Sequence, residues 1–495
     1  MMTAMLDFQW LAVAPELILI VTVSLVLLLD SWWPACPYVA GPVSLCGLTT
    51  ALAAAVFSLP DLMAVMPWHG TGLRMSAATG LIAKITADDL SHFFTILLLS
   101  VGIMVTLIML CETRENQDGA GAFALVLLAN IGALVMAKGV DLLVIFLGWL
   151  TAHSAVSLAI GSRRNSARSG TAPALTHFLI SVLVAGFFLY GIAFIYGATG
   201  FTSIAEISLE LEKVDLIRNP YVLMGRALLL AGLGFSLALV PFHFWVSDVY
   251  DAAPTAITAF LAVAVKIAAL AGFLRIFCGF GVGIDENGIF WILAVLTMTV
   301  GNLAALAQTS VRRLLAFSAI GHTGYMMVGI VAGGVPGWSA VLFYLITYAF
   351  TYLGAFGLVA LCSWRSRISD DRILYTGLGL RYPLLGLMMA LFMLSLAGLP
   401  PLGGFMGKLV VLRAAMNGGY VWLVVIALAN NLVSLYYCLR LIAVLYRSGS
   451  DSDTIVQHSA PAASVVGMMA AGTIHSGICS AGYITWACAA VERLF

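Results

Sequence analysis

Two apolar stretches of this chain are interrupted by proline, and this pattern limits the folds that the chain can adopt. The first stretch is LGFSLALVPFHFWVSDVY, residues 233–250, with Pro241, and the second is LSLAGLPPLGGFMGKLVVL, residues 394–412, with Pro400 and Pro401. Proline removes a backbone donor and clashes with the preceding helical turn. In hydrocarbon the freed carbonyl groups need other partners, so such breaks occur only against protein or a water-filled cavity. Paired breaks in two halves of a membrane protein indicate an ion or substrate path.

The composition is that of a membrane protein. Of the 495 residues, 62% are hydrophobic and 9% are charged, whereas a soluble domain has roughly 25% charged residues. Apolar runs long enough to cross a ~30 Å hydrocarbon core recur along the whole chain, so we predict an all-α polytopic protein with about fourteen spans. The predicted spans lie near 11–30, 39–58, 90–111, 119–137, 141–161, 172–196, 225–249, 255–278, 289–307, 312–333, 338–363, 382–415, 420–446 and 463–490.

The sequence contains no motif for redox or nucleotide chemistry. Its eight cysteines have no CxxC spacing. This favours the interpretation that they are small apolar packing residues, rather than ligands of an iron–sulfur cluster or a zinc ion or members of a disulfide framework. It has no glycine-rich phosphate loop and no dinucleotide-binding fingerprint. We therefore expect no cofactor and no metal in this chain, and any redox chemistry belongs to partners.

The distribution of basic residues predicts the orientation in the membrane. With fourteen spans, one face has 11 Lys and Arg residues, whereas the other has fewer and its longer loops are acidic. The positive-inside rule places the basic loops in the cytoplasm and both termini outside. The basic positions are Arg114, Arg163, Arg164, Arg168, Arg312, Arg313, Arg365, Arg367, Arg372, Arg381 and Arg447.

The spacing of the breaks predicts an internal repeat. Pro241 and Pro400 are about five spans apart, and a repeated unit with an odd number of spans is inverted in the membrane. We predict one domain over 1–495, in which 119–278 is the first five-span repeat and 288–446 is the inverted second repeat. Residues 1–118 form N-terminal spans and 463–490 the last span.

Two lysines near the breaks are the strongest candidates for proton chemistry. Lys266 lies in AFLAVAVKIAALAGF, and a lysine at the bilayer centre costs roughly 2.5–3.5 kcal/mol. Burial disfavours its charged form, which suits a group that takes up and releases a proton. The alternative is a fixed cation that pairs with a carboxylate. Lys408, in PPLGGFMGKLVV, is either a second relay group or a side chain that reaches the membrane interface.

Several other polar residues are predicted inside spans. His322 lies near Ser318, Thr323 and Tyr325, which can order water, although an isolated histidine in a helix often only bonds a backbone carbonyl. The same two interpretations apply to His153, His177 and His243. Asp248 and Asp251 are expected to cap the helix that starts near Thr255. We expect Glu16 to be solvated near the outer interface or to cap a helix end there. Four arginines near span ends are expected to reach the interface by snorkelling or to pair with carboxylates: Arg226, Arg275, Arg413 and Arg440.

Three segments together resemble the antiporter-like subunit N of bacterial NADH–quinone oxidoreductase, respiratory complex I. They are VPFHFWVSDVYDAAPTAITAFLAVAVK (240–266), GNLAALAQTSVRRLLAFSAIGHTGYMMVG (301–329) and LSLAGLPPLGGFMGKLVVL (394–412). The resemblance runs over nearly the whole chain, and the loop after the first break is more similar to subunit N than to subunits L and M or the sodium/proton antiporters. It implies a proton half-channel with relay lysines at Lys266 and Lys408 and a relay histidine at His322.

The chain departs from this family at two relay positions. Where the family has a glutamate after FLG, this chain reads FLGWL with Leu150, and where it has lysine in GLGFK, this chain has Ser236. Leucine cannot hold a proton, and serine can only pass one on through water. The entrance half of the path is therefore lost, rerouted through His153 and His177 with Ser236 as an accessory group, or fed from an adjacent subunit. Another polar position is Thr176.

The resemblance implies a membrane translocase subunit of the respiratory chain in the bacterial inner membrane. Quinone reduction in other subunits would drive it, and those subunits would hold NADH, FMN, iron–sulfur clusters and quinone. Its partners would be other complex I subunits, the lipid bilayer and protons, with no nucleic acid. Two alternatives are a structural spacer with an impaired proton path and a subunit of a multi-chain cation/proton antiporter.

Overall fold

A computed structural model describes residues 13–32, 39–65, 88–112, 119–162, 171–213, 219–280, 284–362, 375–448 and 459–492, and these are almost entirely helical. Within these ranges, twelve helices are long and apolar enough to cross a membrane, or thirteen if the last, bent pair is one span. A further pair of shorter helices surrounds the second proline break. The predicted all-α polytopic fold is confirmed.

The helices follow the apolar runs of the sequence. They are α1 Ala14–Trp32, α2 Ala40–Val65, α3 Asp89–Glu112, α4 Gly119–Lys138, α5 Leu142–Gly161, α6 Thr171–Thr199, α7 Ile204–Lys213, α8 Pro220–Leu237, α9 Val246–Ala252, α10 Thr255–Gly279, α11 Ile284–Ala307, α12 Val311–Ala332, α13 Gly334–Cys362, α14 Leu378–Arg381, α15 Pro383–Ala397, α16 Gly403–Asn417, α17 Val421–Leu445, α18 Ala460–Ile478 and α19 Ser480–Glu492.

Two features differ from the predicted spans. The last span, predicted as continuous over 463–490, is two helices, α18 and α19, that meet at 85° beside Cys479. The acidic segment after α6 forms the short amphipathic helix α7. Many residues on which the orientation depends lie outside the described ranges: Arg114, Arg163, Arg164, Arg168, Arg365, Arg367 and Arg372.

The first predicted break lies between α8 and α9. Ala238 follows α8 in the left-handed conformation, with φ of 58°. The Leu239 N–H donates to the Gly234 carbonyl at 2.8 Å, which closes the helix end, and the Val240–Pro241 peptide bond is cis. The Val240 N–H donates to the Thr297 hydroxyl of α11 at 3.2 Å. A neighbouring helix therefore takes up a backbone group that the break exposes.

The second predicted break, between α15 and α16, has the same backbone geometry. Gly398 is left-handed with φ of 78°, and the Leu399 N–H donates to the Leu394 carbonyl at 3.0 Å. The Pro400–Pro401 peptide bond is cis. The two helix ends therefore have the same backbone conformation, and the internal repeat stays a prediction.

The most deeply buried helices are α10, α12 and α13, while α1, α6 and α11 are more exposed. Two helix hairpins pack closely in corresponding places of the two predicted repeats. A Cβ atom on Gly132 of α4 would lie 2.5 Å from the Ala152 nitrogen of α5, and one on Gly301 of α11 would lie 2.4 Å from the Gly321 nitrogen of α12. These close contacts fix the positions of α5 and α12, which carry His153 and His322.

Candidate functional site

Lys266 is buried at the centre of the protein, with only 1% of the residue exposed. It begins the regular part of α10 directly after the π-helical stretch Leu261–Val265, and such stretches occur frequently at functional sites. Its ammonium donates to the Ala319 carbonyl at 2.6 Å and to the Thr323 hydroxyl at 2.9 Å, both on α12. Both acceptors are neutral, and no ion pair of Lys266 occurs within the described residues. Pairing with a carboxylate from the described part of this chain is therefore wrong.

Lys408, on α16, is also buried, at 4% exposure. Its ammonium donates to the Leu396 carbonyl and to the Asn431 Oδ1 atom, each at 2.6 Å. Leu396 lies in the last turn of α15, where helix carbonyls lack partners within the helix. The break thus supplies an acceptor for the lysine, and the alternative that this side chain reaches the membrane interface is wrong.

His322 lies between the two lysines on α12. Its Nδ1 atom is 2.5 Å from the Tyr344 hydroxyl. The Lys266 ammonium lies 5.8 Å from the centre of the Tyr348 ring, and this ring contacts His322. The Lys408 ammonium lies 4.9 Å from the Tyr325 ring, which also contacts His322. The structure therefore brings the three predicted relay residues into one cluster, which we call the lysine cluster.

The sequence interpretation included Tyr325 but missed the three tyrosines that α13 contributes to this cluster, although their spacing indicates a shared face. Tyr344, Tyr348 and Tyr352 are spaced by four residues on α13, so they lie on one helix face. All three are buried, and their rings contact His322. Asn431 was also missed, because nothing in its own helix marks it as a lysine partner.

A second buried cluster lies in the first predicted repeat. The Trp149 indole N–H donates to the Ser236 hydroxyl at 2.7 Å, and His153 Nε2 lies 2.7 Å from the same oxygen. His177 Nδ1 lies 2.7 Å from the Ser157 hydroxyl, which itself donates to the His153 carbonyl at 2.8 Å. The three predicted accessory residues, His153, His177 and Ser236, thus lie together in what we call the histidine cluster.

Other candidates lie elsewhere. Leu150 is half-buried, and Thr176 is exposed and donates to the Ala172 carbonyl of its own helix. His243 is half-buried within the first break, where its ring contacts Phe244 rather than another histidine. Among the described residues, none of these three side chains forms a hydrogen bond with a residue of either cluster.

The expectation that two aspartates cap α10 is wrong. The Asp251 carboxylate accepts from Arg313 Nε at 3.1 Å, and Asp248 lies 3.5 Å from the same guanidinium. The first amide of α10, that of Thr255, instead donates to Glu112 of α3 at 2.9 Å. The carboxylate that caps α10, that of Glu112, and the arginine that binds the aspartates, Arg313, are both distant from these residues in the sequence.

The expectation for Glu16 is also wrong, because its carboxylate lies 2.7 Å from the Lys138 ammonium and both side chains are buried. For Arg275 carboxylate pairing is confirmed, with Asp88 at 2.8 Å. Arg226 donates to the Phe280 carbonyl and Arg440 to the Leu306 carbonyl. Arg413 is exposed.

The chain is similar to known proteins of one family. The family model described as NADH:quinone oxidoreductase/Mrp antiporter, TM, matches residues 139–434, which are more than half of the chain and include both clusters. The chain belongs to this family. NADH-quinone oxidoreductase subunit N of Trichlorobacter lovleyi is 37% identical over 415 residues, covering 83% of this chain and 85% of the relative. The predicted resemblance is confirmed.

Solved structures of family members share the fold. A chain of respiratory complex I from Thermus thermophilus with bound aureothin has a TM-score of 0.78 and 31% identity, covering 95% of this chain and 98% of that chain. A chain of the Mrp complex from Dietzia sp. DQ12-45-1b has a TM-score of 0.82 at 20% identity, covering 98% and 97%. The second likeness shows the fold alone.

Proposed function

We propose that this family member is a proton-translocating membrane subunit of an NADH–quinone oxidoreductase in a bacterial inner membrane. It would hold no redox group, and other subunits of the complex would bind NADH, FMN, iron–sulfur clusters and quinone. Both termini would face the periplasm. The observation that carries the proposal is the lysine cluster. In it, two buried ammonium groups, which form no ion pair with any described residue, lie on either side of His322 and contact tyrosine rings that also contact this histidine.

The chemistry of the cluster suits a proton relay. A buried lysine without a counter-charge is held only by neutral acceptors, so loss of its proton removes a costly desolvated charge. Lys266 and Lys408 would each take up and release a proton. The His322 ring, bonded to the Tyr344 hydroxyl, would carry the proton between them together with ordered water, because a neutral imidazole has both a donor and an acceptor nitrogen.

The test is the Lys266→Ala variant in the assembled complex. We expect electron transfer from NADH to quinone to continue while fewer protons are translocated per electron, measured by dye quenching in liposomes that contain the purified complex. A fully assembled variant with the normal proton-to-electron ratio would contradict the proposal. Arg413→Ala provides a control, because Arg413 is an exposed cation outside both clusters.

One observation favours a structural spacer as a second candidate. The positions of the family's glutamate and lysine hold Leu150 and Ser236, and the histidine cluster contains no permanently charged side chain. If the native path is impaired, the double replacement Leu150→Glu with Ser236→Lys raises the proton-to-electron ratio. A ratio that stays the same in a fully assembled complex, together with impaired Lys266→Ala pumping, would exclude this candidate.

A further inference from the structure

The hydrogen bonds of the histidine cluster fix the tautomer of His177. A serine hydroxyl has one hydrogen, and that of Ser157 is used in the 2.8 Å bond to the His153 carbonyl. Ser157 therefore accepts from His177 Nδ1, 2.7 Å away. It follows that neutral His177 has its proton on Nδ1 and a lone pair on Nε2.

The same reasoning gives the tautomer of His153. Trp149 can only donate, so the Ser236 oxygen accepts from it and keeps its own hydrogen for another partner. The acceptor within reach is His153 Nε2 at 2.7 Å. Neutral His153 therefore has its proton on Nδ1.

Three nitrogen atoms at the edge of this cluster lack a hydrogen-bond partner among the described residues: His153 Nδ1, His177 Nε2 and Trp245 Nε1. Their side chains are buried. The rings of His153 and His177 are 5.6 Å apart, those of His177 and Trp245 4.9 Å apart, and the Phe235 ring contacts all three. By the assigned tautomers, two of these atoms are donors and one is an acceptor.

Buried polar groups without protein partners are commonly satisfied by a bound water with two to four polar partners. One water molecule can accept from two donors and donate to one acceptor, which is the set present here. We propose that an ordered water binds between His153, His177 and Trp245. This water would make the histidine cluster, which is uncharged at rest, a relay for protons. This inference rests on the proposed function, because the proton that it carries is the one translocated by the subunit.

The transfer step balances without any other reactant. A translocated proton that reaches His153 Nε2 by way of Ser236 makes this ring an imidazolium. The Nδ1–H bond of His153 then breaks and its proton goes to the water, while the water passes one of its own protons to His177 Nε2. One N–H bond is lost at His153, one forms at His177, and the water is regenerated. The positive charge has moved from one ring to the other within the cluster that contains Ser236, the position where the family has a lysine.

The functional test is His177→Phe in the assembled complex, compared with Lys266→Ala and with the double variant. We expect His177→Phe to lower the proton-to-electron ratio to the value of Lys266→Ala, and the double variant to be no lower, because both act on one path. His475→Phe is the matched control, since His475 is exposed and contacts Tyr483 outside the cluster. If Lys266→Ala is impaired and His177→Phe has the normal ratio, the inference is overturned while the proposed function stands.

Two further measurements keep the test decisive. If His177→Phe does not assemble, Trp245→Phe removes one donor to the water and keeps the ring, and we expect a smaller decrease in the ratio; a normal ratio overturns the inference. A density map of the complex tests the site even if Lys266→Ala pumps normally. A water peak at about 3 Å from the three nitrogen atoms supports the site, and side-chain atoms that fill this space overturn it.

Discussion

The two helix breaks have the same backbone geometry and surround different chemistry. After each break-forming helix, a left-handed residue closes the helix end and a cis prolyl bond follows. Near the second break, the Leu396 carbonyl of the last helical turn accepts from the Lys408 ammonium. Near the first, the corresponding polar centre contains Trp149, His153 and Ser236 and no ammonium group. The same kind of helix break therefore occurs beside a charged group of side chains in one place and beside a neutral group in the other.

The difference is one of electrostatic cost. A buried lysine requires acceptors that are held in place, because its desolvated charge is otherwise expensive. The lysine cluster supplies carbonyl, amide and hydroxyl oxygens together with tyrosine faces. Neutral histidines need only matched donors and acceptors, so the histidine cluster requires no counter-charge.

The largest effect is expected when a cation is introduced into the neutral cluster. Ser236→Lys places an ammonium group beside the Trp149 indole, which can only donate a hydrogen bond and cannot accept one. Because the new charge has no carboxylate partner in the cluster, we expect the roughly 2.5–3.5 kcal/mol cost of a lysine at membrane depth. We expect a strongly reduced amount of assembled complex in membranes, measured by blotting after native electrophoresis. Adding Leu150→Glu is expected to restore part of it. Normal assembly of the single variant would show that the first repeat already tolerates a charge.

The next effect is expected at the acceptor of Lys408. Asn431→Leu removes one of its two protein acceptors, and a hydrogen bond to a charged group contributes roughly 1.5–3 kcal/mol. We expect lower thermal stability of the complex and a lower proton-to-electron ratio. The neighbouring Asn430→Leu is the control, since Asn430 contacts Thr299 and Asn302 instead. Equal pumping defects in both variants would contradict a specific role for Asn431.

The smallest changes in stability are expected when the two left-handed residues, Gly398 and Ala238, are replaced. Gly398→Ala should cost about 1–2 kcal/mol, because a Cβ is disfavoured in this conformation, and its Cβ would also lie 3.0 Å from Lys408 Cδ. Ala238→Gly relieves the same strain but increases the entropy of the unfolded chain, so a change within about 1 kcal/mol is expected. Thermal unfolding of the purified complex measures both. A loss of stability in Ala238→Gly as large as that in Gly398→Ala would contradict this expectation.

Local sequence features predicted the breaks and the two lysines, because proline in an apolar run and a cation at membrane depth each have few physical solutions. Partners distant in sequence were not predictable in this way. Glu16 pairs with Lys138, and Asp251 pairs with Arg313 rather than capping the next helix. The bend beside Cys479 has no proline or glycine directly at the junction, so the last span was predicted as continuous.

The order of the residues along the chain was enough to predict the helical membrane fold, the places where two helices stop, and the residue types available for proton chemistry. Hydrophobicity and proline geometry act over a few neighbouring residues, so a single chain segment is enough to specify them. The packing of the helices, in contrast, places His322 between Lys266 and Lys408 and brings His153, His177 and Ser236 into one neutral cluster. These contacts join helices far apart in the chain, and packing rather than local pattern selects which polar atoms meet.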